Sequence, residues 1–469
     1  MKLDKGRSMK LGRCIVAAAM ALGAAAGPAA AESLADVMVE AWQNSPDLAS
    51  QRAQVKVASE GAVQARAGGR PQVSGNIGLE VETRNFQGRN PPDAVFPTTL
   101  QLTATQPLYT GGQVANQTEA AERRISVEEA VLIATEQQVL LDAVTAFSDV
   151  RSDIFLVDVA ENNVRVLNEQ LRAARERFEV GEVTRTDVEQ ARARLAAARS
   201  RLAAARGQLR VSKETFAEVV GRPPGELDPP PPLPDLPEDV DMAVQIAAEN
   251  EPNLRAARIE REASGFDVRA AIGQLLPQIS LQGTLSQFDD VNDDLTGQRA
   301  ASVGINVTLP FYSGGRNYSS VRQAQARVEG AAAQITTSLR TAVRNVGTAW
   351  SQLEVARASI ESGKLEVRAA ELAFEGVTEE AKVGARTTLD VLDAEEEVLN
   401  ARADLIVARR DEYVAAYQLL AAMGKLTVDH LGLETGVTPP AESYYDSVRD
   451  RNFGYDQTDE TVWSLPYRP

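Results

Sequence analysis

The chain has 469 residues, 49 basic against 66 acidic side chains, a net charge of −17, one histidine and one cysteine. Such acidity excludes nucleic acid as the main partner. One thiol excludes a disulfide framework, and one imidazole with one thiol leaves no metal cluster or Ser/His/Asp set to build.

Residues 1–31 read as a secretory signal peptide. Lys2, Lys5, Arg7, Lys10 and Arg13 form a basic head, an apolar run follows from Cys14 to Ala26, and Ala29 and Ala31 give the small-x-small pattern of a cleavage site. Removing this segment, with its five bases and one acid, takes the charge from −17 to −21. Cys14 stands at the start of the apolar run, inside the predicted signal peptide, so the mature chain is expected to have no thiol. No later stretch is apolar for the ~20 residues a spanning helix needs, so a membrane-inserted form has to be a β-barrel.

Residues 32–228 form a first structural repeat. A helical stretch, Leu34–Ala67, leads into a β-hairpin over 71–108. There Val73, Gly75, Ile77, Leu79 and Val81 alternate with Gln72, Ser74, Asn76, Glu80 and Glu82, and Leu100, Leu102 and Ala104 alternate with polar neighbours. Period-two alternation marks strands with one apolar and one polar face. A long helix is predicted over 112–180, which contains no proline, and a return helix over 184–220. At ~1.5 Å per residue the long helix is on the order of 100 Å, too long for a globular core to enclose. Val157, Val164, Leu171 and Phe178 recur every seven residues, as do Val188, Leu195, Leu202, Leu209 and Phe216 with Ala191, Ala198 and Ala205 between them. A sustained heptad predicts coiled-coil packing, and the alanines let helices lie close.

Residues 229–238 hold consecutive prolines and read as a stiff linker. Residues 239–435 then repeat the order: a helical stretch Val240–Gln274, a β-hairpin over 277–310, a long helix over 315–383 and a return helix over 387–423. Pro107-Leu108-Tyr109-Thr110-Gly111-Gly112 recurs 203 residues later as Pro310-Phe311-Tyr312-Ser313-Gly314-Gly315, and Gly181, Asp187 and Gly221 recur at the same offset. Internal repetition of this kind is tested first because it decides the architecture. The paired Gly111-Gly112 and Gly314-Gly315, with Tyr109 and Tyr312 before them, are expected to turn each strand into its long helix; they lack the Gly-Lys-[Ser/Thr] of a phosphate loop. Residues 436–469, polar and aromatic, are a tail expected to pack outside or lie partly disordered. His430 reads as an exposed or capping residue.

Four strands of membrane length cannot close a barrel, and an open edge in lipid leaves unpaired backbone groups. Three chains would supply twelve strands, enough for a water-filled lumen. The alternative is a soluble periplasmic coiled-coil scaffold without a pore, which the helices alone would permit.

The twice-used Pro-[Leu/Phe]-Tyr-[Thr/Ser]-Gly-Gly and the stretch Val383-Gly384-Ala385-Arg386-Thr387-Thr388-Leu389-Asp390-Val391-Leu392-Asp393-Ala394 resemble the TolC-like outer-membrane factors, over roughly Ser33 to Leu433. The resemblance implies a mixed α and β membrane protein: a homotrimer with one shared twelve-stranded β-barrel continued by a long periplasmic α-helical barrel, with an equatorial belt holding the linker. It implies an exit duct in the outer membrane that docks, through a periplasmic adaptor (a membrane fusion protein), on an inner-membrane RND or ABC transporter and exports small molecules or proteins. No cofactor is implied and no enzymatic site. In the family, acids matching Asp390 and Asp393 ring the periplasmic entrance and can bind multivalent cations. An arginine matching Arg386 bridges to the threonine and aspartate matching Thr186 and Asp187 and keeps the tip shut. This chain departs at Ala381, where the family often carries a tyrosine, so its lock is weaker or is completed by Glu380 or Lys382.

Overall fold

The computed structural model describes residues 32–84, 93–290, 297–434 and 441–451. The predicted signal peptide, the hairpin tips at 85–92 and 291–296, and most of the tail lie outside the described residues.

The first repeat opens with α1 (Leu34–Asn44) and α2 (Pro46–Ala67). A single helix over Leu34–Ala67 was expected; it breaks at Ser45, which is extended (φ −61°, ψ 120°) and whose hydroxyl accepts from the Leu48 amide at 3.2 Å. Pro46 takes the first helical position, where its missing N–H is no loss. The second repeat breaks the same way between α5 (Val240–Asn250) and α6 (Pro252–Gly273): the Glu251 carboxylate caps Leu254 N at 2.6 Å and Pro252 starts the helix.

Between these pairs the chain forms β1 (Gln72–Leu79), a small ribbon of β2 (Glu82–Arg84) with β3 (Asp93–Val95), β4 (Pro97–Tyr109), α3 (Gln113–Glu179) and α4 (Arg185–Val220). After α6 come β5 (Gln278–Asp290), β6 (Gln298–Thr308), α7 (Arg316–Lys382), α8 (Thr388–Ala422) and the tail helix α9 (Ala441–Val448). The long helices α3 and α7 each have 67 residues, about 100 Å at ~1.5 Å per residue.

The main core lies where α1, α5 and the C-terminal ends of α4 and α8 meet the middles of α3 and α7. Phe147, Leu140, Phe216, Val346, Leu353, Leu419, Leu420 and Met423 are buried together there. One stretch of α3 is apolar enough to cross a membrane by length and composition, against the expectation that no stretch after the signal peptide is apolar for the length a spanning helix needs. That apolar stretch supplies Val139, Leu140, Ala143, Val144 and Phe147 to the core, so its hydrophobicity serves helix packing. Farther toward the α3–α4 turn a second cluster joins Leu167, Leu171 and Ala174 of α3 to Ala191, Leu195 and Ala198 of α4 and Leu392 of α8. This is the predicted alanine-leucine seam. It stops short of Phe178, which is 45% exposed within one chain.

The linker between α4 and α5 is without regular secondary structure, and its Leu233 and Leu236 pack on the main core. Helix α9 lies against the first repeat: the Tyr444 hydroxyl donates to Glu60 at 2.8 Å and the Tyr445 hydroxyl to Glu122 at 2.5 Å.

Candidate functional site

The four long strands form one antiparallel sheet in the order β1-β4-β5-β6. The central pairing joins the two repeats, Leu102 opposite Leu285 and Thr103 opposite Thr284. Directly opposed residues share a face, so through the middle of the sheet the register separates two sides. On one side stand Val73, Ile77, Leu100, Leu102, Leu281, Leu285, Val303 and Ile305; on the other Ser74, Asn76, Gln101, Thr103, Thr284, Ser302 and Asn306. Among the described residues no helix covers the apolar side: Ile77 is 73% exposed and Val303 is 80% exposed. In water such a face would be a large apolar patch; in lipid it is the ordinary outer wall of a barrel, with the polar side as lumen. β1 and β6 are the two bare edges.

Both strand-to-helix turns use left-handed backbone, with φ of +63° and +77° at Gly111 and Gly112 and +64° and +83° at Gly314 and Gly315. The second glycine of each pair caps the long helix. Gly111 packs directly on the Gly273 carbonyl at the end of α6, whereas Gly314 has open space around it. Tyr109 is partly covered and Tyr312 is 90% exposed, beside a bare Phe311. The second turn thus presents uncovered aromatic surface where the sheet meets the helices.

At the far end the two tips repeat in detail. The Thr184 hydroxyl accepts from Asp187 N at 3.3 Å, while the Asp187 carboxylate accepts from Thr184 N and from its hydroxyl, both at 2.8 Å. Thr387 and Asp390 form the same capping box at 3.2, 2.9 and 2.9 Å, and these hydrogen bonds hold the Asp390 carboxyl below its usual range. Arg386 is exposed and donates from Nε to Glu380 at 2.9 Å, which raises its pKa further. Within one chain, among the described residues, Arg386 does not reach Thr186 or Asp187, and Thr186 stands exposed on the other tip.

Asp393 is paired across the helices. Arg194 of α4 donates from Nη2 to Asp393 at 2.5 Å and from Nη1 to Glu396, and Arg201 donates to the same Glu396 at 2.5 Å. Glu395 is buried beside them, its carboxylate accepting from Gln170 at 2.6 Å, and burial raises its pKa. Sequence reasoning placed Asp393 at the entrance but missed its arginine partner and the buried Glu395. The signal was present as a charge bias: α4 carries Arg192, Arg194, Arg199 and Arg201 where α8 carries Asp393, Glu395, Glu396 and Glu397.

A sheet that is greasy on one side and wet on the other, set on rods too long for any globular core, is the build of an outer-membrane duct with a periplasmic extension. The chain belongs to the outer membrane efflux protein family, whose model matches residues 37–222 and 243–425, one stretch in each repeat. It is 36% identical over 445 residues to the outer membrane efflux protein BepC of Brucella suis biovar 1 (strain 1330), covering 94% of this chain and 96% of that one. It is 25% identical over 441 residues to the outer membrane protein TolC of Escherichia coli (strain K12), covering 89% and 87%. A crystal structure of CusC shares the fold with a TM-score of 0.74 at 19% identity, covering 84% of this chain and 92% of that one. The protein is therefore an outer-membrane exit duct for efflux or type I secretion, and the soluble scaffold considered from the helices alone is set aside.

Proposed function

We propose that three copies close into one duct of twelve strands and six long helical hairpins, which receives small molecules or proteins at its periplasmic tip from an inner-membrane RND or ABC transporter through a periplasmic adaptor. The observation that carries this reading is the pair of bare sheet edges, β1 and β6, beside an uncovered apolar face. Neither edge is tolerable in lipid unless another copy pairs with it.

In this reading the α7–α8 turn of one copy meets the α3–α4 turn of the next. Arg386, held by Glu380 in the single chain, then turns to Thr186 and Asp187 of its neighbour and holds the tip inward. A guanidinium can serve both a hydroxyl and a carboxylate. Asp390 and Asp393 repeat threefold as two rings at the entrance, which attract cations. The Arg194 contact offsets the charge of the Asp393 ring, so Asp390 carries most of the cation attraction.

Cysteine cross-linking tests the closure, because the only native cysteine, Cys14, lies in the predicted signal peptide. Asn76→Cys in β1 is combined in turn with Ser302→Cys, Gly304→Cys and Asn306→Cys in β6. Oxidation of one of these pairs is expected to give a covalent trimer on a denaturing gel. A protein that stays monomeric with all three pairs and needs no detergent would overturn the reading.

A further inference from the structure

Under the linker, between α3 and α8, lies a cavity of about 320 Å³, within the size range of small-ligand sites. Its apolar walls are Phe147, Phe155, Ile406 and Pro230. Its charged lining is of one sign: Arg151, Arg409 and Arg410 face it, and among the described residues no carboxylate does. That is unexpected in a chain of net charge −17.

The three arginines are not equivalent. Arg410 is satisfied by Asp149 at 2.5 Å and Asp411 at 2.8 Å. Arg151 is not. Its guanidinium sits between the Phe147 and Phe155 rings, 5.9 and 5.8 Å from their centroids, and its buried Nη1 makes no hydrogen bond. Among the described residues no acid forms an ion pair with it; Asp228 acts on it only as a more distant charge. The Tyr413 hydroxyl, on a residue only 8% exposed, is also buried, with Tyr417 as its near polar neighbour. Burial lowers the Arg151 pKa and raises that of Tyr413. Orphaned buried donors are rare and costly, and Arg151, whose Nη1 is one, lines this cavity beside Tyr413.

We infer that this cavity is a binding site for an amphiphilic monocarboxylate, its head held by Arg151 Nη1 and the Tyr413 hydroxyl and its hydrocarbon body between Phe147, Phe155 and Ile406. A carboxylate accepts two donors at once and restores the charge balance that the lining lacks. A neutral alcohol of the same length fills the same volume but leaves the guanidinium unanswered. A cation finds no carboxylate among the described lining residues and is repelled by the unpaired Arg151. The site is built from α3, α8 and the linker of one chain.

The test uses the full protein in lipid nanodiscs, with empty discs as the blank for lipid uptake. Calorimetric titration with octanoate is expected to show one saturable site per chain, at least tenfold tighter than for octanol or octylammonium. Arg151→Met keeps the apolar stem and is expected to weaken octanoate at least tenfold; Arg151→Lys retains most of the binding, and Tyr413→Phe weakens it several-fold. Ile406→Trp fills the cavity while keeping every charge and abolishes binding, which guards against a folding defect in the arginine variants. Equal affinity for octanoate and octanol, or octanoate binding unchanged in both Arg151→Met and Ile406→Trp, would overturn the assignment.

Discussion

Gly221 and Gly424 occupy matching positions at the C-terminal ends of the two return helices, in left-handed backbone at φ +95° and +75°. An alanine in that conformation costs roughly 1–2 kcal/mol, less ~0.4–1 kcal/mol from the reduced freedom of the unfolded chain. The surroundings then separate the two sites. At Gly221 an added methyl meets only the Asn44 side chain, at 3.5 Å, an ordinary contact. At Gly424 it meets the carbonyl oxygen and carbon of Asn250 at 2.5 and 2.6 Å and the amide nitrogen of Glu251 at 2.9 Å. These are backbone atoms of the corner between α5 and α6, and no rotamer moves them aside. Overpacking of this kind costs ~1–3 kcal/mol. Gly221→Ala is therefore expected to lose about 1 kcal/mol, and Gly424→Ala about 2–4 kcal/mol. Guanidinium unfolding of the detergent-solubilised protein, followed by helical circular dichroism, measures both. Equal midpoints for the two variants would show that the α5–α6 corner yields freely and that the close approach has no energetic weight.

Arg386→Ser removes the cation proposed to hold the tip and is expected to raise single-channel conductance, with Asp187→Ala similar and the double variant not additive; wild-type conductance in both single variants would mean that helix packing alone closes the tip. Arg194→Ala releases Asp393, while Glu396 keeps Arg201, so block by a multivalent cation in bilayer recordings should tighten, while Asp390→Asn should weaken it; no change in either variant would remove the acidic rings from the entrance. Glu395 has a raised pKa in the folded chain because it is buried, so the folded state holds that proton to higher pH than the unfolded state does, and stability falls as pH rises through the window above the ordinary glutamate value. Glu395→Gln is accordingly expected to be more stable than wild type near neutrality, with the advantage gone below the ordinary glutamate range; an advantage that persists in acid would place its origin elsewhere.

Much of the fold could be read along the chain because its determinants are local. Period-two alternation gave the strands, and the absence of proline with a seven-residue repeat gave the rods. The broken first helix was missed although Ser45-Pro46 is a helix-start signature, since the apolar periodicity runs on across the break. The pairing of β4 with β5 was not legible, because nothing in either strand names its partner in the other repeat. The tip shows the same division. The capping boxes of Asp187 and Asp390 follow from a spacing of three residues, and Glu380, six residues from Arg386, was within reach of a sequence argument. The contact of Arg194 with Asp393 joins residues 199 apart, and composition shows only that one helix is basic and the other acidic.

The equal lengths of α3 and α7 constrain how such a duct can change. One inserted residue turns everything beyond it by about 100° and advances it by ~1.5 Å, which would carry the Ala191–Leu195–Ala198 seam off its partner. Length can therefore be edited only in steps near seven. It must also be edited in both repeats, at sites 203 residues apart, and in both arms of each hairpin, or the α3–α4 tips would stand at a different height from the α7–α8 tips. The height of the duct is thus a shared inheritance of its two halves, and neither half is free to drift alone.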